Sequence, residues 1–207
     1  MNKTYWEKYY KSHSIPDEPS LFARFVLKNY LNDNESLIEL GCGNGRDSIF
    51  FARHCINVVA IDQCAVELSN LEKLGLPKNL KFVCNNFVEL GDGKEVDNVY
   101  SRFTLHSISE KEEDLVINWV RKNIKKGGKL FIEVRGKANE LYGLGKPVCG
   151  EKDAYVHDNH YRRFIDLDNL SKKLRDNDFT IISAEEKSGF APFKNTNYKF
   201  IRIIALK

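Results

Sequence analysis

Glu39, Gly41, Gly43, Gly45 and Asp62 are the residues whose types and spacing bear most directly on chemistry. The apolar run Leu37, Ile38 and Leu40 ends in the three glycines, and a second run, Val58 to Ile61, ends in Asp62. That order describes a strand entering a tight glycine turn and a helix, then a second strand carrying a carboxylate. Glycine lets the backbone approach a ligand closely, and the helix N-terminus beyond offers unpaired N–H groups. Asp62 stands 21 positions after Gly41, where a carboxylate can accept from both hydroxyls of a ribose. These residues predict a nucleoside-cofactor site.

A second set of reactive side chains lies further on. His106 is a candidate general base, since an imidazole titrating near neutrality can take a hydroxyl proton. Residues 135–165 hold four glycines and little periodicity, together with Arg135, Lys137, Tyr142, His157, His160, Arg162 and Arg163. Uncommitted segments of that length inside compact domains are usually functional, which makes this stretch a candidate substrate cover. Guanidinium grips carboxylate or phosphate in a two-pronged fork, so Arg135, Arg163 and their neighbours predict an anionic acceptor, with His160 or His106 as its base. The pair His157 and His160 has no third metal ligand in view, and no metal is expected.

The elements that must position these groups follow from periodicity. Strands are expected at 36–40, 57–61, 80–84, 96–101 and 129–134, with helices near 45–54 and 64–74. Ser20 caps a helix to Leu31 with Leu21, Phe22, Phe25 and Leu27 inward. Ser109 and Glu112 form a capping box for a helix whose Leu115, Val116, Trp119, Val120 and Ile124 make one apolar face. Asp166 caps another, and strands at 179–185 and 198–205 follow as a hairpin. Alternating strands and helices predict a parallel sheet with helices on both faces, and the hairpin adds one antiparallel strand.

Three details separate this glycine loop from a dinucleotide site. The third glycine comes two positions after the second, Glu39 stands on the strand where a pyrophosphate would be repelled, and the chain ends in a hairpin. Here the sequence resembles the class I S-adenosylmethionine-dependent methyltransferases, whose first motif reads much like Glu39-Leu40-Gly41-Cys42-Gly43-Asn44-Gly45. The resemblance implies a Rossmann-like seven-stranded sheet and S-adenosylmethionine as cofactor. It places Cys42 in the loop, Asp62 on the ribose, and Gln63 and Cys64 beside the adenine. Asn86 stands where the family usually carries an aspartate for the adenine amino group, and the Phe87 N–H faces the ring. Ser101 to His106 falls beside the methyl group, with Arg102 bracing the cofactor carboxylate or a substrate anion. Trp6, with Tyr5, Tyr9 and Tyr10, is expected to close over the cofactor. More narrowly, Tyr5-Trp6, Pro19-Ser20, Ser101 to His106, Tyr142-Gly143 and His160 to Phe164 resemble small bacterial methyltransferases. These are associated with capsule and surface polysaccharide and are similar to tellurite-resistance enzymes. That implies O-methylation of an activated sugar or of a phosphoryl group such as a phosphoramidate. The rivals are an NAD-dependent oxidoreductase and a nucleoside-binding module without turnover.

Bulk properties bound the rest. At 207 residues the chain suits one domain, divided as a helical cap over 1–31, a cofactor core over 36–134, the cover over 135–165, and a closing helix and hairpin over 166–207. A net charge of +3 without a basic block argues against nucleic acid,. Five cysteines without CxxC spacing read as reduced thiols, and no apolar run reaches membrane length, so a cytoplasmic protein acting on a small molecule is expected,.

Overall fold

The computed structural model describes residues 5–7, 18–65, 68, 71, 75–91 and 93–207. Its centre is a seven-stranded sheet built from β1 (Ser36–Leu40), β2 (Asn57–Asp62), β3 (Leu80–Cys84), β4 (Val96–Arg102), β5 (Ile124–Val134), β9 (Thr180–Lys187) and β10 (Phe200–Leu206). The strand order is β3-β2-β1-β4-β5-β10-β9. Neighbours from β3 to β5 pair in parallel, and β10 runs antiparallel to both β5 and β9. The order reverses between β1 and β4, and the crevice at that reversal, beyond the carboxyl ends of the strands, is where ligands bind in such sheets.

The buried strands read as apolar runs because both sheet faces are covered. Leu37, Val58, Ala60, Tyr100, Phe131 and Ile204 pack under α1 (Leu21–Tyr30) and α2 (Arg46–Arg53). Ile38, Leu40, Val99, Ile132 and Ile203 face the opposite layer with α3 (Glu110–Asn123) and α4 (Leu167–Asp176). Side chains alternate along a strand, so Glu39 shares the face of Leu37 and is carried toward α2. A short 3-10 turn, Leu105–Ser107, links β4 to α3.

The caps form as their residues predict. The Ser20 hydroxyl accepts from the Ala23 N–H at 3.0 Å, both halves of the Ser109/Glu112 box are made, and Asp166 accepts from the Asn169 N–H. Two helix faces differ from expectation. In α1, Phe22, Ala23 and Val26 are buried, whereas Leu21 is 49% exposed and Phe25 lies at the surface. In α3, Ile117 is buried and Leu115 is 55% exposed. Both helices are rotated relative to the apolar pattern, because the sheet and not the helix sets which stripe is covered. Of the helix expected near 64–74, Ala65, Leu68 and Leu71 are helical; residues 66–67, 69–70 and 72–74 lie outside the described residues, as do Tyr9 and Tyr10.

Residues 135–165 are more ordered than their sequence suggests. After a run of turns they form a small antiparallel sheet of β6 (Lys146–Pro147), β7 (Ala154–His157) and β8 (His160–Arg163). His157 pairs directly with His160 across its tight turn, where Asp158 and Asn159 adopt positive φ of 52° and 55°.

Candidate active site

A cavity of about 720 Å³ opens over the reversal between β1 and β4. The Gly41 and Cys42 N–H groups both donate to the Ile61 carbonyl, at 2.8 and 3.0 Å, which folds the loop tightly over β2. Gly41 and Gly45 sit at φ +71°, and a Cβ on Gly41 would meet the Thr104 methyl at 2.4 Å. Only glycine meets both demands there. Asp62 accepts from the Gly43 N–H and the Cys64 N–H, both at 2.9 Å. Each carboxylate oxygen keeps a free lone pair, so these bonds aim Asp62 without exhausting it. Beside it the buried Gln63 Nε2 has no hydrogen-bond partner among the described residues. An aimed acceptor, an unused amide donor and the Phe87 ring on one wall fit a nucleoside.

Further acids line the same end. Asp47 accepts from the Ser20 N–H at 2.7 Å, the Ser20 hydroxyl at 2.6 Å and the Tyr100 hydroxyl at 2.9 Å. The Ser48 hydroxyl donates to Glu39. Burial first, and then the charge of Asp47, push the Glu39 carboxyl well above its ordinary range,. A ligand ammonium placed here would relieve that penalty, which the amino-acid end of S-adenosylmethionine can supply. Arg102 also lines the cavity; its Nε donates to Glu133 at 2.9 Å while Arg202 Nε donates to the other oxygen of Glu133 at 2.6 Å. Burial alone would lower Arg102, and Glu133 and Asp47 outweigh it to leave the guanidinium raised.

The other end of the cavity is built from different material. Arg135 and Arg162 line it, and no carboxylate among the described residues lies within ion-pair distance of either. Arg135 donates to Asn139 Oδ1 at 3.1 Å and sits 5.0 Å from the Phe200 ring centre; Arg162 donates to the His157 carbonyl at 3.3 Å. Burial first, and then the charge of Arg162, lower Arg135 to about 10, and burial lowers Arg162 as well. His106 accepts the Arg135 N–H on Nδ1 at 3.3 Å. Burial, then Arg135, hold its pKa well below the ordinary value, so the ring is neutral. A neutral ring that accepts at Nδ1 carries its proton on Nε2. His160 is likewise lowered to about 4, by burial and then Arg162 and Arg135; its Nδ1 is buried without a partner. Tyr5 packs on it at 4.2 Å and Trp6 meets it edge-on at 5.1 Å.

The structure thus brings Trp6, Glu39, Gly41, Cys42, Asp62, Gln63, Phe87, Arg102, His106, Arg135 and His160 to one cavity. Gly43 and Gly45 hold the loop behind it. Three expectations need correction. Arg163 does not reach the cavity: its Nε donates to the Ile108 carbonyl at 3.0 Å and its buried guanidinium pairs with Glu113 at 2.5 Å. Successive residues of β8 point to opposite faces, so His160 and Arg162 face the cavity while Tyr161 and Arg163 reach Ile108,. Asn86 also stands off the cavity wall, its Oδ1 accepting from the Val88 N–H at 3.1 Å in a local turn,. Ser101 does not line the cavity, its hydroxyl being hydrogen-bonded with that of Thr104. Lys137 pairs with Asp153 and Asp166, and the Tyr142 hydroxyl donates to Asp153. No group of three metal-ligating side chains occurs among the described residues. Sequence reasoning placed Phe103 and Thr104 near the site only as part of the Ser101 to His106 segment, and missed Arg46, Asp47 and the wall given by Ala191, Pro192, Phe193, Thr196, Tyr198 and Phe200. The unusual length of the connection between the last two strands was the available signal for that wall.

Residues 38–132 match the family model described as a methyltransferase domain. The chain is 31% identical over 103 residues to the cypemycin N-terminal methyltransferase of a Streptomyces species, covering 49% of this chain and 42% of that protein, so it spans less than half the length of that relative. It is 24% identical over 200 residues to malonyl-[acyl-carrier protein] O-methyltransferase 1 of Ilyobacter polytropus, covering 93% of this chain and 69% of the other. Among solved structures, a SAM-dependent methyltransferase of Methanosarcina mazei superposes with a TM-score of 0.76 at 20% identity, over 88% of this chain and 96% of that one. The fold is the Rossmann-like methyltransferase fold.

Proposed function

We propose, with residues 38–132 a methyltransferase domain, that the protein is an S-adenosylmethionine-dependent methyltransferase acting on an oxygen of a small anionic acceptor. The carrying observation is that one cavity joins the glycine loop and Asp62 to two guanidiniums, Arg135 and Arg162, that make no ion pair with a carboxylate among the described residues. Sugar phosphates and phosphoryl groups of surface polysaccharide are acceptors of this kind, and the sequence resemblance favours them. The C-terminal antiparallel strand and the acid beside the glycine loop disfavour a dinucleotide.

When bound, S-adenosylmethionine supplies a methyl group on a positively charged sulfur that leaves readily. The protein's own part is to bind and aim. Asp62 and Gln63 hold the nucleoside, while Glu39 and Asp47 supply negative charge for the ammonium. Arg135 and Arg162 hold the acceptor anion, and His106, in the same cavity wall, keeps an Nε2–H that can donate. Tyr5, Trp6 and Phe193 add aromatic surface to the cavity wall. Holding donor and acceptor in line contributes ~7 kcal/mol or more to lowering the barrier.

Calorimetry tests the reading. S-adenosylhomocysteine should bind and NAD should not; NAD affinity without any response to S-adenosylhomocysteine would overturn it.

A further inference from the structure

We infer that the anion held by Arg135 and Arg162 is itself the nucleophile, so that the product is a methyl ester of a carboxylate or phosphate. The inference rests on the methyltransferase reading and deepens it. Its first support is that neither histidine of the acceptor end is set to act as a base. His106 has its Nδ1 occupied by the Arg135 backbone N–H, so its Nε2 carries a hydrogen and not a lone pair,. The His160 Nδ1 has no partner among the described residues, but the charge it would gain lies beside the Arg135 and Arg162 guanidiniums, neither of which makes an ion pair among the described residues,. The carboxylates that line the cavity, Glu18, Glu39, Asp47 and Asp62, are each engaged by protein donors. A hydroxyl acceptor would have to give up its proton where both histidines resist taking one.

An already ionised oxygen meets the same surroundings well. Two partly buried guanidiniums offer forked donors, and the neutral His106 adds an N–H. The electron balance is simple. An oxygen lone pair of the acceptor forms the new bond to carbon, the carbon–sulfur bond breaks, its pair stays on sulfur, and no proton moves. Methylation also removes one negative charge from the acceptor, which weakens its hold on the arginines and favours departure of the ester.

The test begins with the full-length protein saturated with S-adenosylhomocysteine and titrated with inorganic phosphate and with acetate. At least one anion should bind, at least tenfold more weakly in Arg162→Gln; if neither binds, the inference is wrong. Methyl-labelled cofactor is then supplied with a panel of carboxylic acids and phosphomonoesters and their matched alcohols and amines. Label released by alkali marks a carboxylate ester. Label stable to alkali but released by a phosphodiesterase marks a phosphate ester. Either should form without proton release in weak buffer. Label on a hydroxyl or amine with one proton released per turnover, or no labelled acid or phosphate, overturns the inference and leaves the methyltransferase reading standing. Failure of S-adenosylhomocysteine to bind would break that reading instead.

Discussion

The two ends of the cavity treat charge in opposite ways. At the cofactor end Asp47 and Asp62 are each satisfied by two or more protein donors before any ligand arrives. At the acceptor end Arg135 and Arg162 hydrogen-bond only to neutral groups among the described residues. Glu140 and Asp158 act on them from beyond ion-pair distance, and each arginine is held below its ordinary basicity by burial. The first end is organised by the fold and needs the ligand only to complete it. The second carries positive charge that no ion pair among the described residues balances and that an anion would relieve, so binding there is coupled to stability. Arg162 and Arg163 show the contrast within one dipeptide: the second has a buried carboxylate and two backbone carbonyls, the first has the cavity.

Arg163→Ala should break that contrast most visibly. It strands Glu113 in the interior with only Lys173, at 2.6 Å, to balance it, and frees the carbonyls that anchor the 3-10 turn. Stability should fall by about 3–5 kcal/mol in urea unfolding. A loss below about 1 kcal/mol would show that the pair does not hold this region together.

The acceptor end should next reveal itself through pH. Folded His160 takes its proton only near pH 4, while an unfolded histidine takes it near 6.5. Between those values the unfolded chain binds more protons, so stability is full above about pH 6.5 and falls as the pH drops toward 4, by about 3 kcal/mol. His106 adds in the same direction. His160→Gln should flatten this limb in thermal unfolding, and an unaltered slope would remove His160 from the cause.

Asp62→Ala probes the organised end. It removes the proposed ribose acceptor, and affinity for S-adenosylhomocysteine should fall by roughly 1.5–3 kcal/mol by calorimetry. It also leaves the Gly43 and Cys64 N–H groups without their partner, so some stability is lost as well. Wild-type affinity in this variant would take Asp62 out of the ligand site.

The smallest effect sharpens the comparison. Arg162→Ala should change stability by no more than about 0.5 kcal/mol in the absence of anions, because no ion pair is broken. A destabilisation matching that of Arg163→Ala would erase the distinction between the neighbours.

The cofactor end was legible because its signals are local. The glycine spacing, the acid on β1 and the acid ending β2 all act through residues close in sequence, and their backbone demands admit few substitutes. The capping residues Ser20, Ser109 and Asp166 were readable for the same reason. Residues 135–165 were not: glycines and charges masked the short strands β7 and β8, whose side-chain alternation is what separates Arg162 from Arg163. The wall between β9 and β10 was equally opaque, since Phe193 and Tyr198 reach the cavity only once the hairpin has docked beside β5.

By itself, then, the sequence determined the order of strands and helices, the glycine turn and the carboxylate that follows it, because backbone geometry and hydrophobic period are written in neighbouring residues. Only the tertiary structure decided which arginines lack carboxylates, which nitrogen of His106 keeps a hydrogen, and that Asn86 closes a turn. Those outcomes depend on groups from 2 to 55 positions away meeting at set distances, and packing alone chooses among them.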